Sequence, residues 1–241
     1  MALTAVILAD AGAAPVAQPQ SYEDCARRVD VDAALALRQA EAWSSKGGGD
    51  AATRCRARAL LRLARPAEAA PLYEQLAFGA LRLPERADFF ALAAAAWRLA
   101  DRPEDGLRTI DAALAIYPEA PALWVDRAEA LVALGRDAEA IEALSRALDL
   151  DATDLDARLL RANAYRRTEN LAAAAVDVER VLAVNPANGE ALFERGALRR
   201  MRGDTAAARA DWLMAIATAP DSPAAAAARE ALARLEGENP R

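Results

Sequence analysis

The chain of 241 residues has no histidine. Serine and cysteine nucleophile systems usually draw their general base from an imidazole, so their ordinary forms are excluded. The commonest zinc ligand goes with it, and two cysteines, Cys25 and Cys55, are too few for a structural zinc site. Long apolar runs are missing as well: the stretch Thr4–Leu8 is far shorter than a bilayer span. Nor is there an excess of positive charge. The 30 Lys and Arg are interleaved with 36 Asp and Glu, giving a net charge of −6 and no overall footprint for nucleic acid. The acids are scattered over predicted solvent faces, and no pair is set apart for general acid–base work. Lys46-Gly47-Gly48-Gly49-Asp50 lacks the order and spacing of a phosphate-binding loop and reads as a flexible joint between helices. The expectation is a protein without catalysis, metal or cofactor.

What is present is a ladder with a period of 34 residues, running from Pro121 to Ser222. Small residues recur at Ala128, Ala162 and Gly196, and again at Ala140, Ala174 and Ala208. A third rung reads Ala147, Val181 and Ala215, and Pro186 and Pro220 close two of the units. A period in this range marks stacked supersecondary units. In the unit 121–154, Leu123, Trp124, Ala128, Leu131 and Leu134 share one helical face, and Ala140, Ile141, Leu144, Ala147 and Leu148 share a second. Gly135 lies between them, where a helix end tolerates positive φ. One hairpin cannot cover its own apolar stripe, so neighbours must stack on it. The predicted fold is all-α: a right-handed α-solenoid of stacked antiparallel helix hairpins.

These residues resemble the tetratricopeptide repeat family. Its pattern has a large apolar residue at position 4, small residues at 8, 20 and 27, bulky residues at 11 and 24, and Pro at 32. Unit 121–154 supplies Trp124, Ala128, Leu131, Ala140, Leu144 and Ala147, with Ala152 in place of the proline. Unit 155–188 supplies Ala162, Tyr165, Ala174, Val178, Val181 and Pro186. Unit 189–222 supplies Leu192, Gly196, Ala208, Trp212, Ala215 and Pro220, with Arg199 at the bulky position. Unit 87–120 is in phase, and unit 50–86 matches with extra residues near Phe78–Leu83. Residues 21–49 read as a degenerate hairpin and 223–241 as a capping helix and tail, with Leu232 and Leu235 inward. Asp154, Asn188 and Ser222 are the expected helix caps.

First helices of adjacent units touch in this family. The resemblance therefore implies that Cys25 and Cys55 can meet in a disulfide; two separate buried thiols are the alternative. Residues 1–20 resemble a secretory signal, with a cleavage point near Ala17, although no basic residue precedes the apolar run and Asp10 interrupts it. A disordered tail is the alternative. Export, to the periplasm or beyond, and a disulfide support each other; a cytoplasmic location is the other reading.

The family binds protein segments in a concave groove along its first helices, mainly through positions 2, 5, 6, 9, 12 and 13. The resemblance carries this onto Arg98, Leu99, Val125, Asp126, Glu129, Leu159, Asn163, Arg166, Arg167, Phe193, Glu194, Arg200 and Met201. Arg166, Arg167 and Arg200 form a cluster suited to a carboxylate. The groove would take an extended peptide or amphipathic helix. A chaperone C-terminal tail is disfavoured, because the family's clamp needs lysines and the repeats contain none. A structural adaptor assembling through its ends or convex face is the second reading. Arg127, Arg161 and Arg195 recur every 34 residues, and pairs within a unit are expected: Arg161 with Asp177, Arg195 with Asp211, and Arg127 with Glu142.

Overall fold

A computed structural model describes residues 19–237. Residues 1–18, which carry the apolar run and the cleavage point near Ala17, lie outside these, as do residues 238–241. The described residues form an all-α solenoid of helix hairpins, with thirteen helices and no strand among them. They divide into two compact units, one ending at Arg102 and one beginning at Pro103. The division falls inside the sequence repeat 87–120.

The first unit holds α1 (Tyr22–Val31), α2 (Ala33–Ser44), α3 (Gly49–Arg62), α4 (Pro66–Gly79) and α5 (Leu83–Leu99). Asp32 alone joins α1 to α2, ending one helix and capping the next through the Leu35 amide. The glycine-rich joint is a hydrogen-bonded turn: the amide of Gly48 donates to the carbonyl of Trp43. A Cβ on Gly48 would strike the Trp43 ring at 2.6 Å, so only glycine fits beneath that indole. The extra residues near Phe78–Leu83 are partly absorbed by α5, which begins at Leu83 and runs for 17 residues. Arg86 then donates to the free carbonyls of Ala77 and Phe78 at the end of α4.

Cys25 and Cys55 are joined in a disulfide between α1 and α3, with Cα atoms 6.0 Å apart. The bridge ties the two-helix N-terminal hairpin to the first regular repeat. Beside it, the Arg54 guanidinium lies 4.2 Å from the Tyr22 ring centre and 5.5 Å from that of Phe89. One side chain of α3 thus touches both neighbouring first helices through cation–π contacts.

The second unit holds α6 (Pro103–Ile116), α7 (Pro121–Ala133), α8 (Asp137–Leu150), α9 (Leu155–Arg167), α10 (Leu171–Val184), α11 (Gly189–Met201), α12 (Thr205–Thr218) and α13 (Pro223–Gly237). Each helix packs on the next, and α9, α11 and α13 also touch as alternate members of the stack. Asp154, Asn188 and Ser222 accept from the amides of Ala157, Ala191 and Ala225, capping α9, α11 and α13 in register. One buried core runs through the last repeats, where Leu159, Ala162, Val178 and Val181 pack with Leu192, Ala208 and Trp212; a second gathers Ala128, Leu131, Ala140 and Leu144. On α13, Ala228 joins the first of these while Leu232 and Leu235 cover it, and Arg229, Glu230, Arg234 and Glu236 face solvent.

The repeat is written in backbone strain as well. Ala64, Asp101, Gly135, Glu169 and Gly203 all have positive φ, between 55° and 86°, at the same rung of their hairpins. Two of these are glycine; the other three hold a conformation that costs an L-residue roughly 1–2 kcal/mol. The tight turn is therefore imposed by helix packing rather than by turn chemistry alone.

Candidate functional site

An amphipathic helix buries one stripe, and the first helices of the second unit show solvent a neighbouring one. Along α7, α9, α11 and α13 this second stripe lines a groove of about 450 Å³. Glu129 comes from α7; Asp156, Leu159, Leu160 and Asn163 from α9; Glu190, Phe193 and Glu194 from α11; and Pro223, Ala224 and Ala227 from α13. In the three repeats these residues fall on positions 2, 5, 6 and 9. Residues at that spacing recur on one side of a 3.6-residue helix, so stacking similar helices extends the side into a trough.

Five of the sequence-predicted residues meet here: Glu129, Leu159, Asn163, Phe193 and Glu194. Val125 instead packs half-buried against the cluster around Leu131 and Leu144. Arg98 lies exposed near the end of α5, in the first unit. Arg200 is half-buried and Met201 exposed at the end of α11, and neither lines the groove.

The arginine cluster is directed elsewhere. Arg166 makes two hydrogen bonds to Glu194, of 2.7 and 3.2 Å. The Asn163 amide donates to the same carboxylate at 2.9 Å. Glu194 is only 7% exposed, so this α9–α11 lock satisfies a buried charge inside the protein. Arg167 turns to Asp137 at the start of α8, 3.0 Å away. The carboxylates these two arginines hold are the protein's own.

The periodic arginines are structural too. Arg161 binds Asp177 at 2.7 and 2.8 Å and reaches the Ser145 hydroxyl at 3.1 Å. Arg195 binds Asp211 at 2.9 and 3.1 Å and reaches Glu179 at 3.5 Å. Each spans from its own hairpin's second helix to the preceding one. Arg127 keeps only the backward arm: it pairs with Asp111 at 2.8 Å rather than with Glu142, because its forward position is Ala143. Hydrogen bonds donated to the paired Asp177 and Asp211 carboxylates hold the Arg161 and Arg195 guanidinium groups above their ordinary range.

Two tetratricopeptide repeat models match the sequence, one over residues 121–163 and one over 159–224. Residues 121–224 carry tetratricopeptide repeats. No curated protein sequence is significantly similar to it. Among solved structures, a tetratricopeptide protein described as YrrB, with an unusual peptide-binding site, is similar at 19% identity and a TM-score of 0.58, over 79% of this chain and 96% of that one. MamA from Desulfovibrio magneticus RS-1 is similar at 19% identity and a TM-score of 0.57, over 68% of this chain and 91% of that one. At such identities the likeness is one of fold. Tetratricopeptide arrays are scaffolds for protein–protein interaction, and the concave face is the surface such stacks offer.

Within these repeats, Asp156, Leu160 and Glu190 were missed as candidates although positions 2 and 6 pointed at them. Pro223, Ala224 and Ala227 had no such signal, because α13 stands outside the repeat. Among the described residues, no group of three Cys, Asp or Glu is placed to hold a metal. None of the described helices is long and apolar enough to cross a membrane.

Proposed function

We propose that this chain is a non-catalytic interaction module that holds a peptide or helical segment of a partner protein in the groove of α7, α9, α11 and α13. The observation carrying this is the coincidence of the groove lining with positions 2, 5, 6 and 9 of successive repeats. Leu159, Leu160 and Phe193 give it an apolar floor, and side chains at alternate depths give it places for a short segment rather than a folded domain. The peptide-binding site named for the YrrB protein lends the reading support.

Its test is a random-peptide phage library panned on the full chain. Peptides that bind the native chain and fail on Ala227→Trp, which fills the groove from α13, support the reading. Peptides that bind both equally well, or none at all, oppose it. The Arg166 and Arg167 charge reversals are a poor probe, since they would strand Glu194 and Asp137.

One observation favours assembly through the convex face as a second reading. Val176 and Val184 on α10 and Leu213 and Met214 on α12 are exposed apolar side chains. On α10, a shallow recess of about 510 Å³ is lined by Ala175, Val176, Glu179, Arg180 and Ala183. Under this reading Val176→Lys abolishes self-association in sedimentation runs; under the first it leaves peptide capture intact.

We take the chain to work in an oxidising compartment, the periplasm or another exported location. The Cys25–Cys55 bridge supports this, because such bonds persist where thiols are not kept reduced. Fractionation followed by thiol labelling of the native protein tests it.

A further inference from the structure

The chemistry of the groove is one-sided. Every charged residue lining it is an acid: Glu129, Asp156, Glu190 and Glu194. Glu194 is neutralised by Arg166 and accepts a further hydrogen bond from the Asn163 amide. Asp156 and Glu190 are different. Both occupy position 2, in the first turns of α9 and α11, and both are exposed. Neither makes an ion pair or side-chain hydrogen bond among the described residues, so their charge faces the groove mouth uncompensated. Arg166 and Arg167, the nearby cations the sequence offered for an acidic ligand, are bound to Glu194 and Asp137.

We infer that the groove selects a cationic segment: an extended peptide that sets a Lys or Arg beside Asp156 and Glu190 and an apolar side chain on Leu159, Leu160 and Phe193. This rests on the groove reading above and adds its charge. The apolar floor supplies contact area, while the acidic mouth supplies partner choice and encounter rate, as complementary charge does at interfaces. An acidic segment or a free C-terminal carboxylate meets like charge with no cation lining the groove to receive it.

The experiment sequences the peptides selected above and measures each against the native chain, Ala227→Trp, and the double variant Asp156→Asn/Glu190→Gln. Both amide replacements are isosteric and exposed, and circular dichroism checks that they fold. The expected result is Lys- or Arg-rich peptides that are blocked by Ala227→Trp, weaken about tenfold or more on the double variant, and weaken further as salt is raised. Groove-blocked peptides that are neutral or acidic, or indifferent to the double variant, overturn the charge assignment and leave the groove reading standing. Peptides not blocked by Ala227→Trp, or an empty selection, overturn both.

Discussion

Arg161 grips Asp177 through two parallel hydrogen bonds, 2.7 and 2.8 Å long, from α9 to α10. The Asp177 side chain is 3% exposed, and Arg158 stands 3.6 Å off on its other side. Such a pair is no surface ornament. Taking Arg161 away leaves the carboxylate in a nearly dry site with only the longer Arg158 ion pair, 3.6 Å, to hold it.

Arg161→Ala is therefore expected to be clearly destabilising, by less than the roughly 3–5 kcal/mol of a fully orphaned buried charge because Arg158 still pairs with Asp177. Arg161→Met combined with Asp177→Leu should cost clearly less than the single change. Urea denaturation of the native, single and double variants reads both. A single variant as stable as the native chain would show that the pair is solvated.

Gly196 sits against Trp212. A Cβ there would lie 2.5 Å from the indole nitrogen and 3.1 Å from the Ala208 carbonyl. Trp212 is buried and donates to the Phe193 carbonyl at 3.2 Å, so it has little room to yield. Gly196→Ala should destabilise the second unit by about 1–3 kcal/mol through overpacking. Adding Trp212→Phe should return part of that loss. Thermal melts followed by tryptophan fluorescence decide it.

The disulfide closes a loop with a sequence separation of 30 residues. On the chain-entropy model it contributes roughly 3–4 kcal/mol. Cys25→Ala/Cys55→Ala should lower the stability of the first unit by about that amount. Limited proteolysis should then cut within α1 and α2 before the repeats. Equal protease resistance with and without the bridge would show that packing alone holds the hairpin.

Tyr73, buried on α4, has its phenol pushed up to about 12, by burial first and only partly opposed by Arg58 and Arg54. The folded state thus keeps the proton longer than the unfolded chain. The stability linked to this group is complete below about pH 10 and drains away as pH climbs towards 12. Tyr73→Phe should flatten that alkaline decline in urea titrations. An unchanged slope between the two proteins would assign the decline to other groups.

Much of the fold was legible because it is local. Helix faces, the caps Asp154, Asn188 and Ser222, and the 34-residue rungs are all relations between residues a few turns or one unit apart. The Arg161–Asp177 and Arg195–Asp211 pairs could be read for the same reason, since both partners recur with the repeat. Arg127 was misassigned because its partner, Asp111, lies in the preceding hairpin, where register alone does not rank one acid above another. The groove itself was half legible. Positions 5, 6 and 9 gave Leu159, Phe193, Glu194, Glu129 and Asn163, while α13 supplied a wall no period foretold.

The sequence by itself determined that helices pair, that pairs stack, and where α9, α11 and α13 start. Those outcomes follow from periodicity and capping, which act within a few residues along the chain. Only the tertiary structure decided which charges remain available. Arg166 and Glu194 belong to different repeats, and their mutual neutralisation depends on how closely α9 and α11 approach. That approach turns a groove with apparent cations into one whose uncompensated charge is negative.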